Sequence, residues 1–487
     1  MNKTKTLGQV FTPPHIVKTI LDETGYSGEQ ILTKNILEPS FGDAVFLYEI
    51  IERIHNQGLK QNFTVKEISS IIDENVWGIE YDEETYQTAT QKLKEWALDA
   101  YGMNLVLPNL ILGNTLNFKP TENFDYIVGN PPYVRIHNIP SNLRESLKNY
   151  EHTSGNTDLY VIFFELGLLW LKPNGKIGFI TPNSWFKNSS QKNLRKNLIK
   201  DKQIVKIINY GSTQIFPGTG TYTAITILRK NLSKQSYKYV NHNPPFSKEI
   251  AFENIELKAG NPWIFTSEED QNFLNDLKGS KIENLFNVQN GLATLGDKYF
   301  ILNKEDARKL GLEEKYLRPV IKASTFKGKD QNTVIIFPYA KNELGQWKGI
   351  TEETLKTESP QIYKYLLNNK LKLESRSLDK NSLWFWYGRS QAIQSVEHSK
   401  IVLAPLLKDT DKTFVPHIIP GESLIYSGLF ISQPKTKVTL QDLLTKLTDK
   451  KFATYLKLNS KDMSGGYKSF NSKTVKHFPT GLAVEAS

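Results

Sequence analysis

Between Ile31 and Lys230, short apolar runs alternate with segments of helical periodicity, and this alternation limits the fold more than any other feature of the chain. Asn35–Leu37, Val76–Asp82, Asn109–Thr115 and Phe124–Asn130 read as strands, with helices over Phe46–Ile54 and Glu84–Tyr101. A helix over Leu159–Leu171, a strand over Gly175–Pro182 and a helix over Ser190–Ile199 follow, and the strands Val205–Gly211 and Tyr222–Lys230 close the series. Strand–helix alternation at this spacing predicts an α/β, doubly wound, mostly parallel sheet with helices on both faces. Its seven strands make it Rossmann-like. The last two leave no room for a helix between them, so the final strand is expected to run antiparallel.

Ligands of such sheets bind in the crevice beyond the carboxyl ends of the strands. The unusual clusters EPSFGD (Glu38–Asp43), IEYD (Ile79–Asp82), GNT (Gly113–Thr115) and NPPY (Asn130–Tyr133) all fall at that end. In the first, a carboxylate and a tight turn at Gly42 bring backbone amides close to a ligand, although a plain turn reads the same way. Glu80, at the next strand tip, suits the two hydroxyls of a ribose; a solvated carboxylate is the plainer alternative. No GxGxxG pattern is present, so the implied ligand has ribose and adenine without pyrophosphate. S-adenosylmethionine fits that description. At NPPY, Pro131 and Pro132 can donate no backbone hydrogen bond and cannot continue a strand or helix. Asn130 offers a side-chain acceptor and Pro131 a free carbonyl, and two convergent acceptors would hold both hydrogens of an exocyclic amine. Tyr133 supplies a face on which a planar base can stack.

Composition removes several alternatives. There is no cysteine, which excludes disulfides, thiolate metal sites and cysteine nucleophiles. The eight histidines form no HExxH or comparable pair, so no metal site is expected. Leu159–Leu171 is too short to span a bilayer and contains Glu165, and the first residues lack an apolar signal region. A cytoplasmic protein without membrane contact is expected. Residues 1–120 balance to −6 and the remainder to +16, which together give the formal +10. A basic second part fits a polyanionic partner, or simply a soluble lysine-rich surface.

After Lys230 the rhythm breaks. The polar, proline-containing stretch Ser233–Ile250 reads as a linker, and the rest as a separate α+β domain. In LWFWYGRS, Trp384, Trp386 and Tyr387 combine aromatic mass with Arg389, a guanidinium able to pair with guanine or phosphate. An aromatic core strand is the alternative for the tryptophans. Asn290–Phe300, with Lys298, and Ser464–Asn471, with Lys468, are Gly-containing loops beside lysines, suited to DNA backbone approach or to ordinary turns.

Taken together, these clusters resemble the S-adenosylmethionine-dependent DNA adenine-N6 methyltransferases of bacterial restriction–modification systems, in their gamma arrangement. QVFTPPHI (Gln9–Ile16) resembles the N-terminal motif that closes over the cofactor's methionine end, EPSFGD the first motif, IEYD the ribose-binding acid and LGNT the adenine-contacting segment. NPPY resembles the target-amine motif, and QIFPGTGTYTAITIL (Gln214–Leu228) the strand pair whose aromatic packs on the flipped base. The resemblance covers about residues 7–230. It implies catalysis by Asn130, Pro131, Pro132 and Tyr133, with the target base stacked between Tyr133 and Phe216. Cofactor contacts are implied at Val10, Thr12, Glu38, Ser40, Gly42, Glu80, Tyr81, Asn114 and Thr115. Two positions depart from the pattern: Asn114 stands where Asp is usual, and Ala44 where a second glycine often stands. The resemblance further implies a catalytic domain over 1–235, a target-recognition domain over 236–487, double-stranded DNA as partner, a cognate restriction endonuclease and a monomer. DNA contacts are expected at Lys298, Trp386, Arg389 and Lys468. The absent thiol excludes carbon-5 cytosine methylation, which needs a thiolate nucleophile. Glutamine-amide methylation of proteins and a non-catalytic DNA-specificity subunit remain as alternatives.

Overall fold

A computed structural model of the chain describes residues 12–483, except 136–138, 140–143, 145–146, 148–149, 156, 217–220, 232, 254–259, 330–331, 390–391 and 464. The chain divides into two compact units, Met1–Ser267 and Glu268–Ser487.

The first unit is built on one sheet. Its strands are β1 (Ile36–Glu38), β2 (Val76–Glu80), β3 (Leu110–Leu112), β4 (Phe124–Gly129), β5 (Leu171–Pro182), β6 (Ile204–Asn209), β7 (Thr223–Arg229), β8 (Ser236–His242) and β9 (Pro245–Ala251). They lie in the order β3-β2-β1-β4-β5-β7-β6-β8-β9. The pairs β1–β2, β2–β3, β1–β4, β4–β5 and β6–β8 are parallel. As expected, β7 runs antiparallel, here to both β5 and β6.

Consecutive strand residues face opposite sides of the sheet, and here each side has its own core. Ile36, Val128, Ile180 and Ile208 pack beneath α1 (Pro14–Thr24), α2 (Val45–Lys60), α3 (Val65–Asn75) and α4 (Glu83–Tyr101). Their chain neighbours Leu37, Ile127, Phe179 and Ile207 pack on the other side with α5 (Tyr160–Trp170) and α6 (Lys192–Lys200). That is the doubly wound arrangement. Apolar nearly all round, α5 is covered on most of its surface. Among the described residues no helix is long and apolar enough to cross a membrane.

Local chemistry sets the helix boundaries next to the site. Pro14 occupies the first position of α1, where a missing N–H costs nothing, and Gly25 ends the helix at φ 75°. α3 opens with a capping box between Thr64 and Glu67. α4 starts where Asp82 Oδ1 accepts the Thr85 N–H at 3.0 Å.

Two expectations need correction. The sheet has nine strands rather than seven, because the stretch taken as a linker forms the hairpin β8–β9. Tyr237, Tyr239 and Asn241 are buried at alternate positions of β8, while Ser236 and Val240 are half-buried and Lys238 and His242 exposed, so a polar-looking run carries a period-2 pattern. The first unit consequently ends after Ser267, and the hairpin expected in the second domain lies within the first.

The second unit mixes helices with smaller sheets. One is the antiparallel set Phe286–Asn290, Leu429–Pro434, Lys400–Leu403 and His417–Ile419; another joins Ile301–Asn303, Thr333–Ile336, Leu317–Lys322 and Leu424–Tyr426. A three-stranded sheet holds Leu406–Lys408, Tyr467–Ser469 and Lys461–Met463.

Candidate active site at the carboxyl edge of the sheet

β1, β2, β3 and β4 run parallel, so their carboxyl ends lie at one edge and bring Glu38, Glu80, Asn114 and Asn130 there. The strand order turns at β1, where β4 follows in place of a sequential neighbour; this is the switch point at which such sheets open a crevice.

Glu38 is 2% exposed and its Oε2 has no hydrogen-bond partner among the described residues. Burial, reinforced by the neighbouring Glu80 carboxylate, pushes its carboxyl well above the usual range. Such an orphaned acceptor is uncommon in a folded interior and calls for a donor or a positive charge. Glu80 is 6% exposed and satisfied: one oxygen accepts Gly42 N–H at 2.9 Å, the other Asp82 N–H at 2.8 Å. It thus ties the turn after β1 to the turn after β2, and each oxygen keeps a lone pair for a further donor. In the EPSFGD turn, Gly42 has φ 50°, and no atom lies within 4 Å of where a side chain would begin. Ala44 also takes a left-handed conformation, at φ 61°. The position that departs from the glycine pattern therefore still adopts glycine's geometry, at a strain of about 1 kcal/mol.

The NPPY corner begins with a glycine that the motif does not name. Gly129 has φ 154°, and a Cβ there would lie 3.5 Å from Glu38 Cγ and 3.9 Å from Glu38 Oε1. The chain thus enters Asn130 directly beside the buried carboxylate. Asn130 Nδ2 donates to Thr12 Oγ1 at 3.1 Å, and Ser40 Oγ lies 3.5 Å from the Asn130 carbonyl oxygen. Pro131 is buried and Pro132 half-buried. The Tyr133 hydroxyl donates to the Ile180 carbonyl at 3.4 Å, and burial beside Tyr160 holds the phenol neutral, well above its ordinary pKa.

The remaining expected residues fall unevenly. Val10 lies outside the described residues. Asn114 Oδ1, expected to face the cofactor's adenine, accepts Leu116 N–H at 3.0 Å and caps a short turn, which leaves it one lone pair. Thr115 is buried and bonds the Pro39 carbonyl, joining the ends of β3 and β1. Tyr81 is 65% exposed at the rim. Phe216 is 0% exposed and meets Tyr133 edge to face, with centroids 6.3 Å apart and planes at 67°. The two rings meet at an angle rather than face to face. The motifs did not point to Gly129, Tyr160 or the Ile180 carbonyl. The glycine before Asn130 was the only available signal, since a positive φ follows from neither propensity nor period.

In the second unit three of the four expected DNA contacts are engaged internally. Trp386 Nε1 donates to the Ile350 carbonyl at 2.9 Å, and its ring packs with the core of that unit. Arg389 bonds the carbonyls of Ser377 and Gly388 at 2.6 and 2.7 Å and pairs with Asp379 at 3.4 Å. Lys468 pairs with Asp462 and lies 3.8 Å from Asp409. Lys298 is exposed, its ammonium 4.8 Å from the Tyr299 ring centroid. Among the described residues no group of three or more His, Asp or Glu could hold a metal.

Residues 46–216 match the family described as Eco57I restriction-modification methylase. The chain is similar to the Type II methyltransferase M.BstVI of Geobacillus stearothermophilus, 27% identical over 472 residues that span 85% of this chain and 82% of that one. It is 26% identical over 510 residues to the Type II restriction enzyme and methyltransferase RM.Eco57I of Escherichia coli; the match takes in 83% of this chain and about half, 50%, of that larger protein. Among solved structures, the Type IIL restriction-modification enzyme MmeI in complex with DNA shares the fold, with a TM-score of 0.65, 13% identity and coverage of 99% of this chain and 69% of that one.

Proposed function

We propose that the chain, whose residues 46–216 match the family described as Eco57I restriction-modification methylase, transfers a methyl group from S-adenosylmethionine to the N6 amine of adenine in duplex DNA. The observation that carries this reading is the rigid Asn130–Pro131 corner beside the buried Glu38 carboxylate, whose Oε2 has no partner among the described residues. Relatives named as Type II methyltransferases support DNA over a protein amide as substrate.

The pocket's chemistry fits the cofactor. Glu38 offers a buried acceptor to a cationic ligand, Glu80 retains free lone pairs for hydroxyl donors, and the open space at Gly42 admits a ligand close to the backbone. S-adenosylmethionine held there by Glu38, Glu80 and Gly42 supplies an electrophilic methyl group. The residues of the chain do the positioning. Asn130 Oδ1 and the Pro131 carbonyl accept the two hydrogens of the adenine amine, which localises a lone pair otherwise delocalised into the ring. Neither proline has an N–H to compete for these acceptors. Catalysis is thus orientation and electrostatics, with no covalent enzyme intermediate, and the surplus proton of the methylated amine passes to water.

The amine lies inside the duplex, so the base must leave the stack at roughly a few kcal/mol. It would rest on Tyr133, and the edge of Phe216 must swing aside to admit it. Sequence readout falls to the second unit, where Lys298 is among the exposed cations. A cytoplasmic monomer that protects DNA against a cognate endonuclease completes the proposal. Incubation of purified protein with S-adenosylmethionine and unmethylated DNA, followed by modification-aware sequencing, is expected to show N6-methyladenine at one recurrent sequence. Its absence from every sequence tested would sink the reading.

A further inference from the structure

We propose that Thr12 is a positioning residue that fixes which end of the Asn130 carboxamide meets the substrate amine. The inference rests on the reading of Asn130 as the acceptor for that amine. A carboxamide has two chemically opposite ends, Oδ1 accepting and Nδ2 donating, and a half-turn about the bond to Cγ exchanges them. Only Oδ1 can receive an N–H of the base. Presented with Nδ2, the amine would meet another donor, and a desolvated donor would be left unpaired.

The structure removes that ambiguity from one side. Asn130 Nδ2 donates to Thr12 Oγ1 at 3.1 Å, which directs Oδ1 the opposite way. Thr12 is itself well fixed: it is 3% exposed and immediately precedes Pro13, held at φ −61°, and Pro14, the first residue of α1. The Pro13 carbonyl accepts Ile16 N–H at 2.9 Å and Val17 N–H at 3.2 Å, locking the entrance to the helix. Threonine, branched at Cβ, also has few rotamers to lose. Its hydroxyl is therefore a stationary acceptor.

This assigns Thr12 a different task from the cofactor contact implied by its motif. With Ser40 beside the backbone carbonyl of the same residue, two segments attributed to cofactor binding converge on Asn130. A displacement of the Thr12 segment would release the carboxamide, so the order of that segment and the competence of the acceptor are linked.

The test compares Thr12→Val, which keeps shape and branching but loses the hydroxyl, with Thr12→Ser, which keeps the hydroxyl. Thr12→Val is expected to lower kcat for adenine methylation about tenfold or more. Its Kd for S-adenosylmethionine by calorimetry and for DNA by fluorescence anisotropy at fixed salt should stay within about twofold of wild type, since on this proposal the hydroxyl serves Asn130 Nδ2 in place of the cofactor contact implied by its motif. Thr12→Ser should recover most of kcat. Wild-type kcat in Thr12→Val, or a loss lying wholly in the cofactor Kd, overturns the proposal and leaves the reading of Asn130 standing. A wild-type protein that methylates no adenine overturns both.

Discussion

At the carboxyl edge of the nine-stranded sheet, Glu38, Glu80 and Asn130 bring polar side chains together around one point, and Glu38 Oε2 has no partner among the described residues. The segment Trp384–Arg389 of the second unit is as unusual in composition, yet its indole and guanidinium are spent on carbonyls of their own unit. Unusual residues at the ends of parallel strands are gathered by topology, whatever lies between them in sequence. Unusual residues within a single run are gathered only by the chain, and the commonest use of such aromatic mass is a core.

This contrast can be broken most directly at Asn130. Asn130→Ala is expected to reduce methyl transfer by about 10²–10³-fold, the usual effect of removing one preorganised hydrogen-bonding group from a reacting centre. DNA affinity by anisotropy should remain near wild type. Near-full activity in single-turnover assays would remove the edge's claim to the chemistry.

Glu38 comes next, and its sign is fixed by its raised pKa. The folded apo-protein holds this proton more tightly than the unfolded chain, so the linked stability is present at low pH and declines as pH rises through the folded value. A cationic ligand needs the ionised carboxylate, so cofactor affinity should rise with pH over the same window. Calorimetry at successive pH values above the ordinary carboxylate range should show that rise in wild type and a weak, flat affinity in Glu38→Gln, whose apo form should melt higher at the alkaline end. Identical pH profiles would contradict the placement of Glu38.

On the other side of the comparison, Trp386→Ala should cost about 3 kcal/mol of stability, the low end for truncating a tryptophan. Thermal melting would register the loss, while DNA affinity measured well below the transition stays unchanged. A large affinity loss with unaltered melting would return Trp386 to the interface. The smallest effect belongs to Lys298→Ala, which should weaken DNA binding evenly across sequences and lower the salt slope by about one.

Much of the first unit was legible in the sequence because one rule governs it. Alternating strands and helices impose a parallel sheet, and a parallel sheet places Glu38, Glu80 and Asn130 at one edge. What escaped depends on facts outside that rule. The hairpin β8–β9 hid because its outward residues are polar, so its buried tyrosines looked isolated. Ala44 looked like a departure from a glycine pattern, although the backbone there adopts the left-handed form regardless of side chain. Phe216 was readable as an aromatic to be associated with Tyr133, but its edge-on contact with that ring is a matter of packing. In the second unit Lys468 appeared as a free cation, and nothing local announced that Asp462 and Asp409 would meet it.

The reversed strand β7 has a consequence for how such an enzyme can vary. Because β7 runs against both β5 and β6, the end of β6 at Asn209 and the start of β7 at Thr223 lie at the same rim as the end of β5 at Pro182. Residues can be added to or removed from the connection between Asn209 and Thr223 without shifting any strand in its register. A parallel crossover would tie that connection to the opposite edge and fix its minimum length. The reversal starts and ends the connection that carries Phe216 at the rim where β5 ends, so the parallel strands that align Glu38 with Asn130 keep their register whatever the length of that connection.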